Sequence, residues 1–266
     1  MPDARTPDDL SLALLLADAA DEISMARFGA IDLVVDTKPD LTPVSDADRA
    51  VEVAIRTMLA HARPPDAIVG EEFGTSSQSA PQSAGRRWVV DPIDGTKNFV
   101  RGVPVWATLI ALMEGADVVV GVVSAPALSQ RWWAARGHGS WTSRPDIEHR
   151  RNQVSPVMSL DDASMSYSDL GDWGTRSAGF HKLAASVWRT RAYGDFWSHM
   201  LVAEGAVDIS AEPEVSIWDV AALVVIVEEA GGRVTGVDAT PSPAAPSIVC
   251  SNGLLHEAAL ATLDRP

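Results

Sequence analysis

The stretch WVVDPIDGTKNF, Trp88 to Phe99, places Asp91 and Asp94 three residues apart where an apolar run breaks at Pro92. A carboxylate that follows Trp88, Val89 and Val90 needs a partner, because burying an unpaired charge is very costly. No lysine or arginine nearby in the sequence stands out as that partner. Pro92 forces a turn, so Asp91 and Asp94 can point at one centre, and the Ile93 carbonyl exposed by the turn is a third oxygen. Hard divalent cations take such ligands, and magnesium combines a few carboxylates with waters and substrate phosphate oxygens. Gly95, Thr96 and Lys97 read as a turn leading into a helix, whose first N–H groups suit a phosphate. Metal ligands followed at once by a phosphate cradle point to metal-assisted phosphoryl transfer to water.

Three more acidic residues fall at element ends: Asp48, Glu71 and Asp219. Each has a plain explanation. Asp48 pairs with Ser45 in a capping box, Glu71 is a solvated loop residue, and Asp219 is the N-cap of the helix in WDVAALVVIVEEAGG. Asp94-Gly95 is likewise a common turn pair. Taken together with Asp91, the five carboxylates read more sharply as one metal site.

The elements that must position them follow from periodicity. Leu and Ala at helical spacing run from about Asp8 to Phe28 and stop at Gly29. A short strand and a Pro-punctuated loop precede a second helix with Val51, Ile55, Met58 and Leu59 as its apolar stripe. DAIVGEEFG is a short strand ending at Glu71 and Glu72. TSSQSAPQSAG, residues 75–85, reads as a mobile surface loop expected to order when metal binds. ATLIALMEGADVVVGVVSAP is a hairpin turning at Glu114–Ala116. Near Arg150 the texture becomes polar and turn-rich, which divides the chain into an α+β part (residues 1–150) carrying most metal ligands and an α/β part (residues 151–266) carrying substrate-side contacts and Asp219. The pattern is that of layered helices and sheets, α+β to α/β in class.

Composition narrows the function. The 266 residues carry a formal net charge of −15, which disfavours nucleic acid or an anionic membrane as partner. A single cysteine, Cys250, allows neither an intrachain disulfide nor a cysteine zinc site, and SIVCSNG makes it a small core residue at a strand end. The N-terminal MPDARTPDDL has no signal-peptide pattern and no apolar run is long enough to span a membrane, so a cytoplasmic location is expected. The six histidines are scattered without metal-ligand spacing and are read as structural.

WVVDPIDGTKNF and WDVAALVVIVEEAGG resemble the two signatures of the inositol monophosphatase family, while GEEFG and TPVSDAD match its upstream acidic motifs. The likeness runs from about Leu10 to the last helix. It implies an α/β/α/β/α sandwich, a homodimer and dependence on Mg²⁺, two or three ions per site, with Mn²⁺ as an alternative. It assigns Glu71, Asp91 and the Ile93 carbonyl to the metal that activates water, Asp91, Asp94 and Asp219 to a second, and Asp48 with Glu71 to a weaker third. Thr96, paired with Asp48, would orient the water, and the amides of Gly95 and Thr96 would bind phosphate without any covalent phosphoenzyme.

Within that family, DTKPDLTPVSDADRAVE, RAYGDF and AEGAVDI resemble the members that hydrolyse L-histidinol phosphate. Asp195 stands where members acting on inositol carry a small or hydroxyl residue, and Glu212 falls at the substrate-contacting glutamate. Two carboxylates on the alcohol side suit a cationic amine. Asn252 is read either as a contact to the imidazole, across a dimer, or as a turn or helix cap. Trp106, Trp132, Trp133, Trp197 and Trp218 are read mainly as core or dimer residues. The alternatives are a phosphatase of inositol-1-phosphate or a related polyol, and, from another class, a regulatory or binding protein with weak catalysis. A nucleotide 3′-phosphatase is disfavoured by DGTKNF.

Overall fold

Helix α1 (Thr6–Arg27) buries Ala13, Leu16, Ala17 and Ala20, the periodic small and apolar residues of its sequence. A short ribbon, β1 (Val35–Thr37) paired antiparallel with β2 (Pro43–Ser45), leads into α2 (Asp46–Ala62). There Ser45 and Asp48 form a reciprocal capping box, and Val51, Ile55 and Leu59 face inward at four-residue spacing. The computed structural model describes residues 6–76 and 85–264. Eight of the eleven positions of the 75–85 stretch therefore lie outside the described residues.

The first sheet is built from β3 (Ala67–Gly70), β4 (Gly74–Ser76), β5 (Arg86–Asp94), β6 (Ala107–Glu114), β7 (Asp117–Ala125), β8 (Gln130–Ala135), β9 (Ser140–Arg144) and β10 (Ile147–Arg151), with the short helix α3 (Thr96–Val100) after β5. Its order is β10-β9-β8-β7-β6-β5-β3-β4, antiparallel except where β3 runs parallel to β5. Strand alternation gives its two faces different partners. Trp88, Val90, Ile110, Leu112, Val120 and Val122 pack with α1 and α2, whereas Val89, Leu109, Ala111 and Val123 face the other way.

The second sheet has β11 (Ser164–Ser166), β12 (Arg189–Arg191), β13 (Ile209–Glu212), β14 (Arg233–Thr235) and β15 (Ile248–Ser251), in the order β12-β11-β13-β15-β14. Its helices are α4 (Ser177–Ser186), α5 (Asp195–Ala203), α6 (Ile217–Glu229) and α7 (His256–Leu263). Helices α5 and α6 lie between the sheets, in one core with Leu109 and Val123 of the first and Val234, Ile248 and Cys250 of the second. This explains why α6 has no polar face through its middle. Every residue from Val220 to Val227 is buried, and each Val or Leu there gains roughly 1.5–3 kcal/mol over an exposed position. Phe180 and Leu183 of α4 and Ala259, Leu260 and Leu263 of α7 cover the outer face of the second sheet. The layers are therefore α/β/α/β/α. No described helix is long and apolar enough to cross a membrane.

The tryptophans divide by role. Trp106 is buried against Phe28 and Phe99 beneath α3, and Trp132 is buried with its Nε1 donating to Glu204 at 2.6 Å. Trp133, Trp197 and Trp218 are partly buried and pack at the edges of the cores.

Candidate active site

The end of β5 is bent by design of its sequence. It pairs with β6 as far as Asp91 opposite Leu109 and resumes at Asp94 opposite Ala107, so Pro92 and Ile93 together face Thr108. Pro92 has no N–H to lose from the ladder, which makes it a suitable residue for such a bulge. Thr108 Oγ1 donates to the Pro92 carbonyl at 2.8 Å and pins it. Gly95 then turns the chain at φ +84°, and a Cβ there would meet the Val105 carbonyl at 3.0 Å and Asp195 Oδ2 at 3.3 Å. Helix α3 starts at Thr96, with the N–H groups of Asn98 and Phe99 turned back to the Gly95 carbonyl at 2.9 and 3.0 Å.

The bulge brings Asp91 and Asp94 together, and α6 adds Asp219: one carboxylate oxygen of each lies within 4.8 Å of the others. Asp219 is the third residue inside the helix rather than its N-cap. Ser216 is the N-cap, and its N–H donates to Asp219 Oδ2 at 2.6 Å. Asp91 is 1% exposed, and its Oδ1 is buried with no hydrogen-bond partner. None of the three forms an ion pair among the described residues. Burial first, then the charges of Glu71, Asp94 and Asp219, push Asp91 well above the usual carboxylate range. Burial, then Asp195 and Asp219, do the same to Asp94. Burial chiefly, with Glu71 and Glu212 adding, pushes Asp219 up to about 7. A buried, mutually repelling, all-oxygen set with one orphaned oxygen fits a hard divalent cation.

Two further carboxylates border this centre. Asp48 Oδ2 accepts from the Ser45 N–H at 2.8 Å and the Ser45 hydroxyl at 2.6 Å. Its other oxygen, Oδ1, lies 3.2 Å from Thr96 Oγ1, which is also 2.9 Å from the Ile93 carbonyl. Glu71 follows β3, and its Oε1 accepts from Lys38 Nζ at 2.7 Å. The turn that carries Glu71 is held from below by Glu52, fully buried on α2, which accepts from the N–H groups of Glu72 (2.7 Å) and Phe73 (3.2 Å). A Cβ at Gly70 would stand 2.0 Å from Glu52 Oε1, so any larger residue there must displace the Glu52 carboxylate from beneath the turn.

On the other side, α5 begins at Asp195, whose backbone is left-handed at φ +50°. Its Oδ2 accepts from Asn98 Nδ2 at 3.1 Å and its N–H donates to Ser168 Oγ at 2.8 Å. Burial and the charge of Glu212 push Asp195 up to about 6. Asn252, read either as an imidazole contact or as a turn or cap residue, is bonded to its own chain in the structure. It is 3% exposed, its Nδ2 donates to Ser155 Oγ (3.1 Å) and the Val157 carbonyl (2.7 Å), and its Oδ1 accepts from the Leu255 N–H (3.1 Å). The side chain is tied to its own chain ahead of α7, whose N-cap is Leu255, and this favours the turn reading.

Sequence reasoning missed Lys38, Glu52, Asn98, Ser168 and His199. Asn98 lies inside the quoted motif and Lys38 seven residues before Ser45, so proximity was a usable signal. Ser168 and His199 gave none, because the pairing of β11 with β13 brings the first to the site and the packing of α5 on β13 the second.

A model of the inositol monophosphatase family matches residues 8–265. The chain is 58% identical over 260 residues to a histidinol-phosphatase of Mycobacterium tuberculosis, covering 97% of this chain and 98% of that protein. It is 56% identical over 264 residues to a histidinol-phosphatase of Streptomyces coelicolor, covering 97% of each. Among solved structures, the extragenic suppressor protein suhB from Bartonella henselae superposes with a TM-score of 0.87 at 28% identity, covering 97% of this chain and 99% of that one.

Proposed function

The chain belongs to the inositol monophosphatase family, and from that premise we propose that it hydrolyses L-histidinol phosphate to L-histidinol and inorganic phosphate as a Mg²⁺-dependent cytoplasmic homodimer. The observation that carries the substrate is a second pair of carboxylates, Asp195 and Glu212, whose charges reach Asp94 beside the metal-binding cluster. Carboxylates facing the alcohol half of a phosphate monoester favour one that bears an ammonium. Two relatives of near-equal length are named for that reaction.

In this reading Glu71, Asp91 and the Ile93 carbonyl hold one cation, Asp91, Asp94 and Asp219 a second, and Asp48 with Glu71 a weaker third. Mn²⁺ would serve in the same all-oxygen set. Bound there, the cations supply Lewis-acid charge to the phosphate and acidify a water towards neutral pH. The chain's own groups do the rest. Thr96 Oγ1, donating to Asp48 Oδ1, turns a lone pair outward, accepts the O–H of that water and passes its proton on to Asp48. The amides of Gly95 and Thr96 would hold the phosphate so that the water meets phosphorus in line as the bond to the alcohol oxygen breaks, and the leaving alkoxide would take a proton from a solvent water to depart as the alcohol. No side chain is phosphorylated.

The test is phosphate release from L-histidinol phosphate and, in parallel, from inositol-1-phosphate, using protein stripped with EDTA and then given Mg²⁺. Strong preference for histidinol phosphate, absent without metal, is expected. Preference for inositol-1-phosphate would overturn the substrate. Light scattering tests the dimer.

A further inference from the structure

Glu212 closes β13 with a side chain 15% exposed, and its two oxygens are treated differently. Oε1 faces the Ser168 hydroxyl at 2.5 Å and His199 Nε2 at 3.3 Å. No hydrogen bond from the described residues reaches Oε2. Ser168 has a single proton to give. It donates that proton to Glu212 and accepts the Asp195 N–H at 2.8 Å, so one hydroxyl sets the positions of both substrate-side carboxylates.

His199 closes the arrangement from beneath. It is 2% exposed on α5, and its Nδ1 lies 2.8 Å from Ser210 Oγ. Ser210 and Glu212 are two apart on β13 and so share a face. The imidazole thus spans the strand's hydroxyl and its carboxylate at once. Burial works against an imidazolium there, but the adjoining Cys250 and the Glu212 carboxylate more than offset it and push the ring up to about 10. An ionised carboxylate only accepts, so the ring nitrogen facing Glu212 Oε1 at 3.3 Å is the one that carries a proton.

We infer that Ser168 and His199 are positioning residues that clamp Glu212 through Oε1 and tie it to the Asp195 main chain, leaving Oε2 and the Asp195 carboxylate as a rigid receptor for the ammonium of an amino-alcohol phosphate. This rests on the substrate reading above and assigns it a mechanism of selectivity. Groups held in place before binding lose little freedom when the ligand arrives. A neutral polyol phosphate uses the same metal and phosphate groups but gains little from two fixed carboxylates. The clamp should therefore act on KM for the cationic substrate and leave turnover of a neutral one almost untouched.

The experiment compares wild type, Ser168→Ala, His199→Leu and His199→Gln on L-histidinol phosphate and on 2-glycerophosphate at saturating Mg²⁺, with circular dichroism to establish folding. Wild-type turnover of histidinol phosphate comes first, and its absence removes the substrate reading before any variant is made. Given that turnover, Ser168→Ala and His199→Leu are expected to raise KM for histidinol phosphate about tenfold or more, as loss of a hydrogen bond to a charged group does. Their kcat for 2-glycerophosphate should stay within about twofold of wild type, because no group that touches the phosphate has changed. Gln at 199 keeps an N–H near the place of Nε2 and is expected to recover most of the loss. Folded variants that keep the wild-type ratio between the substrates, or that lose equally on both, overturn the inference. Should His199→Leu fail to fold, Ser168→Ala at its partly exposed position decides the matter.

Discussion

The main-chain N–H of Phe196 donates to Asp94 Oδ2 at 2.7 Å across 102 residues of sequence. Asp94 ends the bulged strand of the first sheet, and Phe196 sits in the first turn of the helix that begins with Asp195. The candidate metal centre and the candidate substrate pocket therefore share a rigid contact. What moves one carboxylate moves the other, and this coupling runs through the predictions below.

Without metal the protein should become more stable as the pH falls from about 8 towards 5. Asp219 is pushed up to about 7, and Asp91 and Asp94 are raised in the same direction. Between the ordinary carboxylate range and those raised values, the folded state binds more protons than the unfolded one, so stability falls as pH rises through that window. Mg²⁺ should remove the trend by neutralising the cluster. Melting temperatures in EDTA and in Mg²⁺, taken at half-unit pH steps, check this. Parallel curves in the two conditions would be inconsistent with a metal bound among these groups.

Asp94→Asn should abolish most turnover while raising the melting temperature in EDTA, because it takes one charge out of a repelling set and still accepts from the Phe196 N–H. It should also lose most of the Mg²⁺-dependent rise in stability, which for a ligand at a hundredfold its Kd is about 2.7 kcal/mol. A variant inactive yet equally stabilised by Mg²⁺ would place the ion elsewhere.

The parts of this molecule that were legible in the sequence are those whose chemistry is local. The apolar run into Pro92, the capping box at Ser45 and Asp48 and the all-apolar α6 each announce their element within a dozen residues. That Asp219 comes within 4.8 Å of Asp91 is a different kind of fact, set by how α6 packs between two sheets, and only the resemblance paired it with Asp91 and Asp94 on one ion. Ser168 and His199 had no local signal, since the Glu212 that they share lies 44 and 13 residues away. Asn252 shows the converse. An asparagine beside glycine suits a ligand or a turn equally well, and the contacts to Ser155 and Val157 that favour the turn lie 97 and 95 residues away.

Thr96→Ala should lower kcat by about 10²-fold or more, the usual scale for losing a positioned proton-transfer group, with little change in KM. Thr96→Ser keeps the hydroxyl between Asp48 Oδ1 and the Ile93 carbonyl and should retain most activity. Equal rates for the two variants in a stopped phosphate-release assay would remove Thr96 from the chemistry.

Asn252→Ala should cost stability without touching substrate affinity. It strips two donors and one acceptor from a buried site, for which about 1–3 kcal/mol per unsatisfied group is typical. Urea unfolding should show the loss, while KM for histidinol phosphate stays at the wild-type value. A raised KM in a fully stable variant would restore a ligand-binding role.

Lys38 is the last group that bears on the metal. Its ammonium touches Glu71 Oε1 at 2.7 Å and Glu72 Oε1 at 2.5 Å. Burial alone would lower its pKa, but these two hydrogen bonds and their charges outweigh burial and hold it raised. The lysine therefore stays charged and occupies an oxygen that the reading above gives to a divalent cation. A cation arriving at Glu71 must displace this ion pair or share the carboxylate with it. Lys38→Met keeps the length of the side chain and removes the charge, so the apo protein should lose some stability, because Glu71 and Glu72 then repel each other unscreened. Mg²⁺ should bind more tightly, shifting the midpoint of the Mg²⁺-dependent rise in melting temperature to lower concentration. An unchanged midpoint, or one moved upward, would mean that Lys38 supports the bound ion instead of competing with it.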